Sequence, residues 1–178
     1  TMGLDPRRDR LCLVQLSAGD GVSHLVQFAK GDYNAPRLAA LLTDPAVTKL
    51  FHFARFDLTT IKRHLGVVVG PVYCTKIASK MTRTYTDRHG LKDLCRDLLG
   101  VELSKQQQSS DWGSEDLTEQ QLAYAASDVL HLHALREKLD AVLAREGRIG
   151  LAAACFAFLA TRGDLDLAGW DDPDIFAH

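Results

Sequence analysis

Two carboxylates and a phenol are the side chains in this sequence whose types and spacing suit the chemistry of a bound ligand. Tyr124 and Asp128 stand four apart in Tyr124-Ala125-Ala126-Ser127-Asp128. In a helix that spacing puts both on one face, a turn apart, with small Ala125 and Ser127 leaving room for a ligand. Asp57 lies in Phe51-His52-Phe53-Ala54-Arg55-Phe56-Asp57-Leu58, where an apolar, β-prone run passes into a helix-compatible segment. The spacing predicts a buried strand feeding a helix with Asp57 in its first turn. Ligands of open α/β sheets collect at such junctions. Carboxylates of this kind hold divalent cations, and a phenol nearby orients or helps deprotonate a water. Each residue also has a plain structural reading, Asp57 as a helix N-terminal charge and Tyr124/Asp128 as an exposed pair on an amphipathic helix. The chemistry therefore requires the two stretches to converge.

The elements that must position them are readable in outline. Thr118 followed by Gln121 forms a capping box, and Leu122, Ala125, Val129, Leu132 and Leu135 recur at helical spacing behind it. Residues 11–16 and 24–28 read as a hairpin around Ser17-Ala18-Gly19-Asp20-Gly21. A short helix follows over 35–42, with Asn34 as its cap and Pro36 in its first turn, and a strand over 47–53. The helix after Asp57 closes at Gly66, and an edge strand runs to Thr75 past Pro71. Helices over 76–81 and 90–99 complete the alternation. Strands and helices in this order predict an α/β architecture, a mixed sheet flanked by helices. Residues 1–150 are expected to form the main domain, with 151–178 a C-terminal helix and tail of the same domain.

Composition narrows the function classes. With 178 residues, 46% hydrophobic and 25% charged, the chain is long enough for one core without disulfides. Its net charge of -2 argues against binding long duplexes but allows a short RNA held by cations and a few basic groups. No apolar run reaches membrane-spanning length. Cys12, Cys74, Cys95 and Cys155 form no CxxC and read as reduced thiols of a cytoplasmic protein.

The Phe51–Leu58 and Tyr124–Asp128 stretches together resemble the second and third exonuclease motifs of the ribonuclease D-like 3′–5′ exonucleases, whose site has four acidic ligands and a tyrosine. Residues 82–92, 104–112 and the tail with Trp170 and Asp174-Ile175-Phe176-Ala177-His178 are similar to the nanoribonuclease C branch of that family, and the likeness covers the whole chain. The resemblance implies a ribonuclease H-like exonuclease fold and an exoribonuclease that converts RNA dinucleotides to mononucleotides. It implies Asp57 and Asp128 as ligands of two divalent cations, Mg²⁺ or Mn²⁺, with Tyr124 beside them. Thr1-Met2-Gly3-Leu4 matches the end of the first motif, whose Asp-x-Glu and strand are not in this sequence. The chain as it stands is therefore expected to be inactive, with its first strand missing or truncated. Leu4 matches a leucine that wedges at the substrate bases, or else covers the core edge, and Met2 lies next to it. Lys105, Gln107 and Ser109, with Arg88 and His89, are candidates for the substrate's 5′ phosphate or are solvated surface. His52 either reaches substrate or is a core histidine. Asp111 reads as a loop anchor, Trp112 as packing, and His131 and His133 are rejected as metal ligands. The apolar Leu151–Leu159 helix and the tail aromatics imply a homo-oligomer, an octamer in the resembling branch, or a tail folded over its own domain. Two further readings remain open: a broader ribonuclease D-like nuclease on RNA or single-stranded DNA, and an inactive exonuclease-like binding or assembly module.

Overall fold

The computed structural model describes residues 1–104, 107 and 110–176. Strands β1 (Leu13–Leu16) and β2 (His24–Gln27) pair antiparallel, Leu13 opposite Gln27 and Leu16 opposite His24. Helix α1 (Pro36–Thr43) leads to β3 (Lys49–Phe51), which after α2 (Ala54–Leu65) pairs in parallel with β4 (Val72–Cys74). Then come α3 (Thr75–Thr82), α4 (Leu91–Leu94) running into one π-helical turn (Cys95–Leu99), α5 (Glu119–Leu130), α6 (Leu132–Arg145) and α7 (Ile149–Leu167). The architecture is α/β, as expected. Among the described residues, though, the strands form two separate ladders, β1-β2 and β3-β4, rather than one continuous mixed sheet.

Local sequence explains most boundaries. Thr118 Oγ1 accepts from Gln121 N and the Gln121 side chain accepts from Thr118 N, so α5 opens with the anticipated capping box. Gly66, in the left-handed region at φ 69°, closes α2. Helix α1 has Pro36 in its first turn, but its cap is Ala35 and Asn34 does not cap it. The helix expected to continue from Thr118 through Leu135 breaks at His131, which takes φ -102° and ψ -3°. Leu132 and Leu135 are buried as part of α6, whereas Leu122, expected on the buried face, is exposed.

Two apolar clusters hold the elements. One joins Leu11, Val14, Phe28, Leu38, Leu42, Leu58 and Ile61 around α2 and the hairpin. The other gathers Leu94, Cys95, Leu135, Leu139 and Leu143 between the π-turn and α6, and partly buried Phe156 touches both. Helix α7 packs along α2 so closely that a Cβ at Gly163 would stand 3.0 Å from Thr59 Oγ1. Across that seam Arg55 donates both Nε and Nη2 to the buried Asp166 carboxylate at 2.8 Å. Arg162, one turn earlier on α7, flanks the same carboxylate and also holds Asp174 of the tail. This fork geometry satisfies a charge that would be costly if unpaired. Lys49, buried at the start of β3, is satisfied instead by the carbonyls of Asp44, Val47 and Gly70, binding the loops on either side of the parallel ladder.

Removing the cap of α5 isolates the contribution of the capping box. Thr118→Ala is expected to destabilise the protein by about 1 kcal/mol and lower Tm by about 2–4 °C. Thermal unfolding followed by far-UV circular dichroism checks this; an unchanged Tm would mean that the tertiary contacts of α5 alone hold its first turn.

Candidate active site

A cavity of about 940 Å³ opens between β1 and β3, and its wall brings together residues from distant parts of the chain. Asp57 from the first turn of α2, Tyr124 and Asp128 from α5, and His52 from the end of β3 all line it. The convergence that the chemistry required is therefore present. Each side chain arrives for a local reason. The strand-to-helix switch at Phe53 turns Asp57 inward. The capping box fixes the start of α5, and Ala125, with no exposed surface, lets the helix sit close against the hairpin and keep Tyr124 and Asp128 on the cavity side.

The electrostatics are unusual. Neither the Asp57 nor the Asp128 carboxylate has a hydrogen bond or ion pair among the described residues. Burial pushes Asp57 up to about 7, and the charge of Asp128 adds to the rise. Burial likewise pushes Asp128 up to about 6. The Tyr124 phenol is held above its ordinary range by burial and by Asp128, so it keeps its proton at neutral pH. Desolvated carboxylates that repel one another favour either a proton or a cation. The donor set is hard oxygen, suited to Mg²⁺ or Mn²⁺ and not to a soft metal. Among the described residues no group of three or more His, Cys, Asp or Glu gathers to hold a metal.

The other candidates divide. Met2 and Leu4 are exposed and stand outside the cavity wall, which Thr1 alone reaches from that segment. Arg88 is exposed and its carbonyl accepts from Arg83 Nη1. His89 Nδ1 pairs with Ser79 Oγ at 2.9 Å, and neither it nor Arg88 lines the cavity. Gln107 contacts Gln120 and Ser110 in its own loop. Lys105 and Ser109 lie outside the described residues. Asp111 accepts from Gly113 N and Gln121 Nε2, a loop anchor, and Trp112 packs on Tyr124 with ring centroids 5.9 Å apart while also facing the cavity. Missed from the sequence are Lys76 and Lys92, both on the cavity wall, and Phe53, over which the Lys76 ammonium sits at 4.1 Å from the ring centroid. No spacing marks these lysines; each follows a helix start that only the fold aims inward.

This geometry can be set beside known proteins. A 3′–5′ exonuclease family profile matches residues 1–144. The chain belongs to that family. Ribonuclease D of Acidiphilium cryptum is 39% identical over 150 residues, 84% of this chain and 38% of that protein. The ribonuclease D of Gluconacetobacter diazotrophicus matches at the same identity and coverage. The chain thus spans under two fifths of the length of these relatives. Two structures of Brucella melitensis NrnC each cover 99% of this chain and 86% of theirs: one with bound Mg²⁺ at 55% identity and TM-score 0.95, one bound to pGG at 56% and 0.96. With the ribonuclease D structure from Escherichia coli the TM-score is 0.77 at 27% identity, over 88% of this chain and 42% of that one. The fold is therefore the ribonuclease H-like exonuclease fold.

The strain of the Asp57 carboxylate makes a measurable prediction. Its folded pKa of about 7 lies above the ordinary 3.8, so the folded protein binds this proton more tightly than the unfolded chain. Without metal, stability is therefore present at low pH and lost as pH rises from about 4 through about 7. Asp57→Asn is expected to raise the metal-free Tm at pH 8 by about 4–8 °C, corresponding to about 2 kcal/mol after discounting for solvent reaching the cavity, with no gain at pH 3.5. Adding Mg²⁺ at pH 8 is expected to stabilise the parent and not the variant. A Tm difference independent of pH would show that Asp57 is not desolvated.

Proposed function

We propose that this protein is a divalent-metal-dependent 3′–5′ exoribonuclease that hydrolyses short RNA, chiefly dinucleotides, to mononucleotides. The observation that carries the reading is the pair of desolvated carboxylates of Asp57 and Asp128, without a hydrogen bond or ion pair among the described residues, lining one cavity with Tyr124. Family membership and the likeness to a nuclease whose structure holds pGG support the substrate class. Two divalent cations, Mg²⁺ or Mn²⁺, would be held by Asp57 and Asp128 with further oxygen ligands, and would supply charge neutralisation and a more acidic water.

What the chain's own residues do follows from their electrostatics. Burial raises the proton affinity of Asp57 and Asp128, so a bound cation would favour their ionised forms. Tyr124, protonated at neutral pH, orients the attacking water by hydrogen bonding rather than removing its proton outright. Lys76 and Lys92 supply the positive charge on the cavity wall that a nucleotide phosphate needs, in a chain whose net charge is -2. Phe53 and Trp112 offer flat apolar surfaces that take any base.

We further propose a homo-oligomer assembled on the outer face of α7 and the tail, where Ile149, Leu151, Phe158, Trp170 and Phe176 are exposed. Phe158 and Phe176 already meet edge to face at 5.7 Å, so helix and tail form one apolar surface. The cytoplasm is the proposed site of action, in keeping with Cys12, Cys74 and Cys95 held as buried free thiols. No helix among the described residues is long and apolar enough to cross a membrane.

The test uses the full-length protein with Mg²⁺ and labelled RNAs of two to seven nucleotides. Mononucleotide release is expected to be fastest from the dinucleotide; rates that rise with length would instead favour a broader ribonuclease D-like nuclease. Tyr124→Phe and Asp128→Ala are each expected to lower kcat by about 10²-fold or more while Tm stays within a few degrees of the parent. Undiminished turnover in both variants would refute the assigned roles, and an inactive full-length protein would favour a binding module.

A further inference from the structure

The neighbours of His52 allow its ring tautomer to be assigned. Thr75, with no exposed surface, has one hydroxyl hydrogen, which we assign to the Phe51 carbonyl at 3.1 Å. The same Thr75 oxygen lies 2.9 Å from His52 Nδ1. Having spent its hydrogen, that oxygen accepts, so Nδ1 carries the imidazole N–H. In the neutral ring the lone pair then sits at Nε2. Burial and the neighbouring Lys76 ammonium keep the ring neutral, pushing its pKa down to about 4. Nε2 has no hydrogen-bond partner among the described residues, and the ring lines the cavity together with Asp57, Tyr124 and Asp128.

A fixed acceptor at this point selects among the parts of a nucleotide. Phosphate oxygens are acceptors too, so they are repelled from Nε2 and left to Lys76 and Lys92. A base-edge N–H differs from base to base, and the flat surfaces for bases are Phe53 and Trp112. His52 follows directly on β3 and lines the same cavity as Asp57, the cavity in which the sugar next to a scissile phosphate would lie. The donor that every ribonucleotide offers there is a sugar hydroxyl. Resting on the exoribonuclease reading above, we infer that His52 Nε2 accepts a hydrogen bond from the ribose 2′-hydroxyl of the bound nucleotide. His52 is thereby a residue that sets preference for ribose over deoxyribose.

The experiment measures kcat/KM of the full-length protein on 5′-phosphorylated GG ribodinucleotide and on its 2′-deoxy counterpart, for the parent, His52→Phe and His52→Gln. The parent is expected to favour the ribodinucleotide by about tenfold, the size of one hydrogen bond. In His52→Phe the preference is expected to vanish through a fall on the ribodinucleotide alone, and His52→Gln, which keeps an acceptor oxygen, is expected to recover part of it. A parent without sugar preference, or an equal fall on both substrates, overturns the role of His52 while leaving the exoribonuclease reading intact. Failure of the parent to cleave either dinucleotide overturns that underlying reading, and this inference with it.

Discussion

Everything in the site depends on two carboxylates being kept out of water with no hydrogen bond or ion pair among the described residues, the Thr1 ammonium only partly offsetting the burial of Asp57. Elsewhere in this molecule buried or half-buried charges are carefully answered: Asp166 has Arg55 and Arg162, Asp97 has Arg83 and Arg96, and the Lys49 ammonium has three carbonyls. Asp57 and Asp128 are the exception. Leaving them unanswered costs stability, because a desolvated carboxylate without compensation favours its proton. The same cost is what makes the cavity attractive to a divalent ion, since the arriving charge meets ligands that water no longer satisfies. A lysine placed beside them would relieve the strain and remove the incentive. Lys76, on the cavity wall, instead lies over the Phe53 ring.

The scaffold around that exception is correspondingly stiff where it bears on Asp57. Helix α2 is clasped on its outer side by α7, through the Arg55–Asp166 fork and the close approach of Gly163 to Thr59. A side chain at residue 163 would crowd the Thr59 hydroxyl on α2, which donates to the Arg55 carbonyl. The tail is tied to the same clasp by Arg162 and Asp174. The apolar surface proposed for assembly and the helix that carries Asp57 are therefore joined through the same clasp.

How much of this was legible in the sequence follows from the range of each interaction. The capping box of α5, the glycine stop of α2 and the Tyr124/Asp128 spacing are decided within four residues, and all were readable. The break at His131 was not, because Leu132 and Leu135 keep the apolar period across it and only tertiary packing decides that α6 sets off anew. The π-helical turn at Cys95–Leu99 was read as ordinary helix, since one extra residue per turn leaves composition unchanged. Residues 11–16 and 24–28 declared a hairpin, but that the β1-β2 and β3-β4 ladders stay apart depends on what lies between them, which no local pattern records. Lys76 and Lys92 were invisible for a related reason. A lysine on a solvated helix and a lysine facing a cavity have the same neighbours in sequence.

The junction at Phe53 shows how a local cost serves the longer-range arrangement. Phe53 is the one residue other than glycine with a positive φ, 66°, among the described residues, and it is 47% exposed. An aromatic in the left-handed region costs on the order of 1 kcal/mol, and a half-exposed ring recovers little of that by burial. The neighbours show what the conformation achieves. Phe51 is still paired in the parallel ladder and Ala54, with no exposed surface, already begins α2, so strand becomes helix within two residues. A longer, relaxed turn would let the strand end and the helix start drift apart. With this abrupt switch, His52 and Asp57 come to the same wall from opposite sides of a single strained residue, one as a neutral acceptor and the other as a charge seeking a cation.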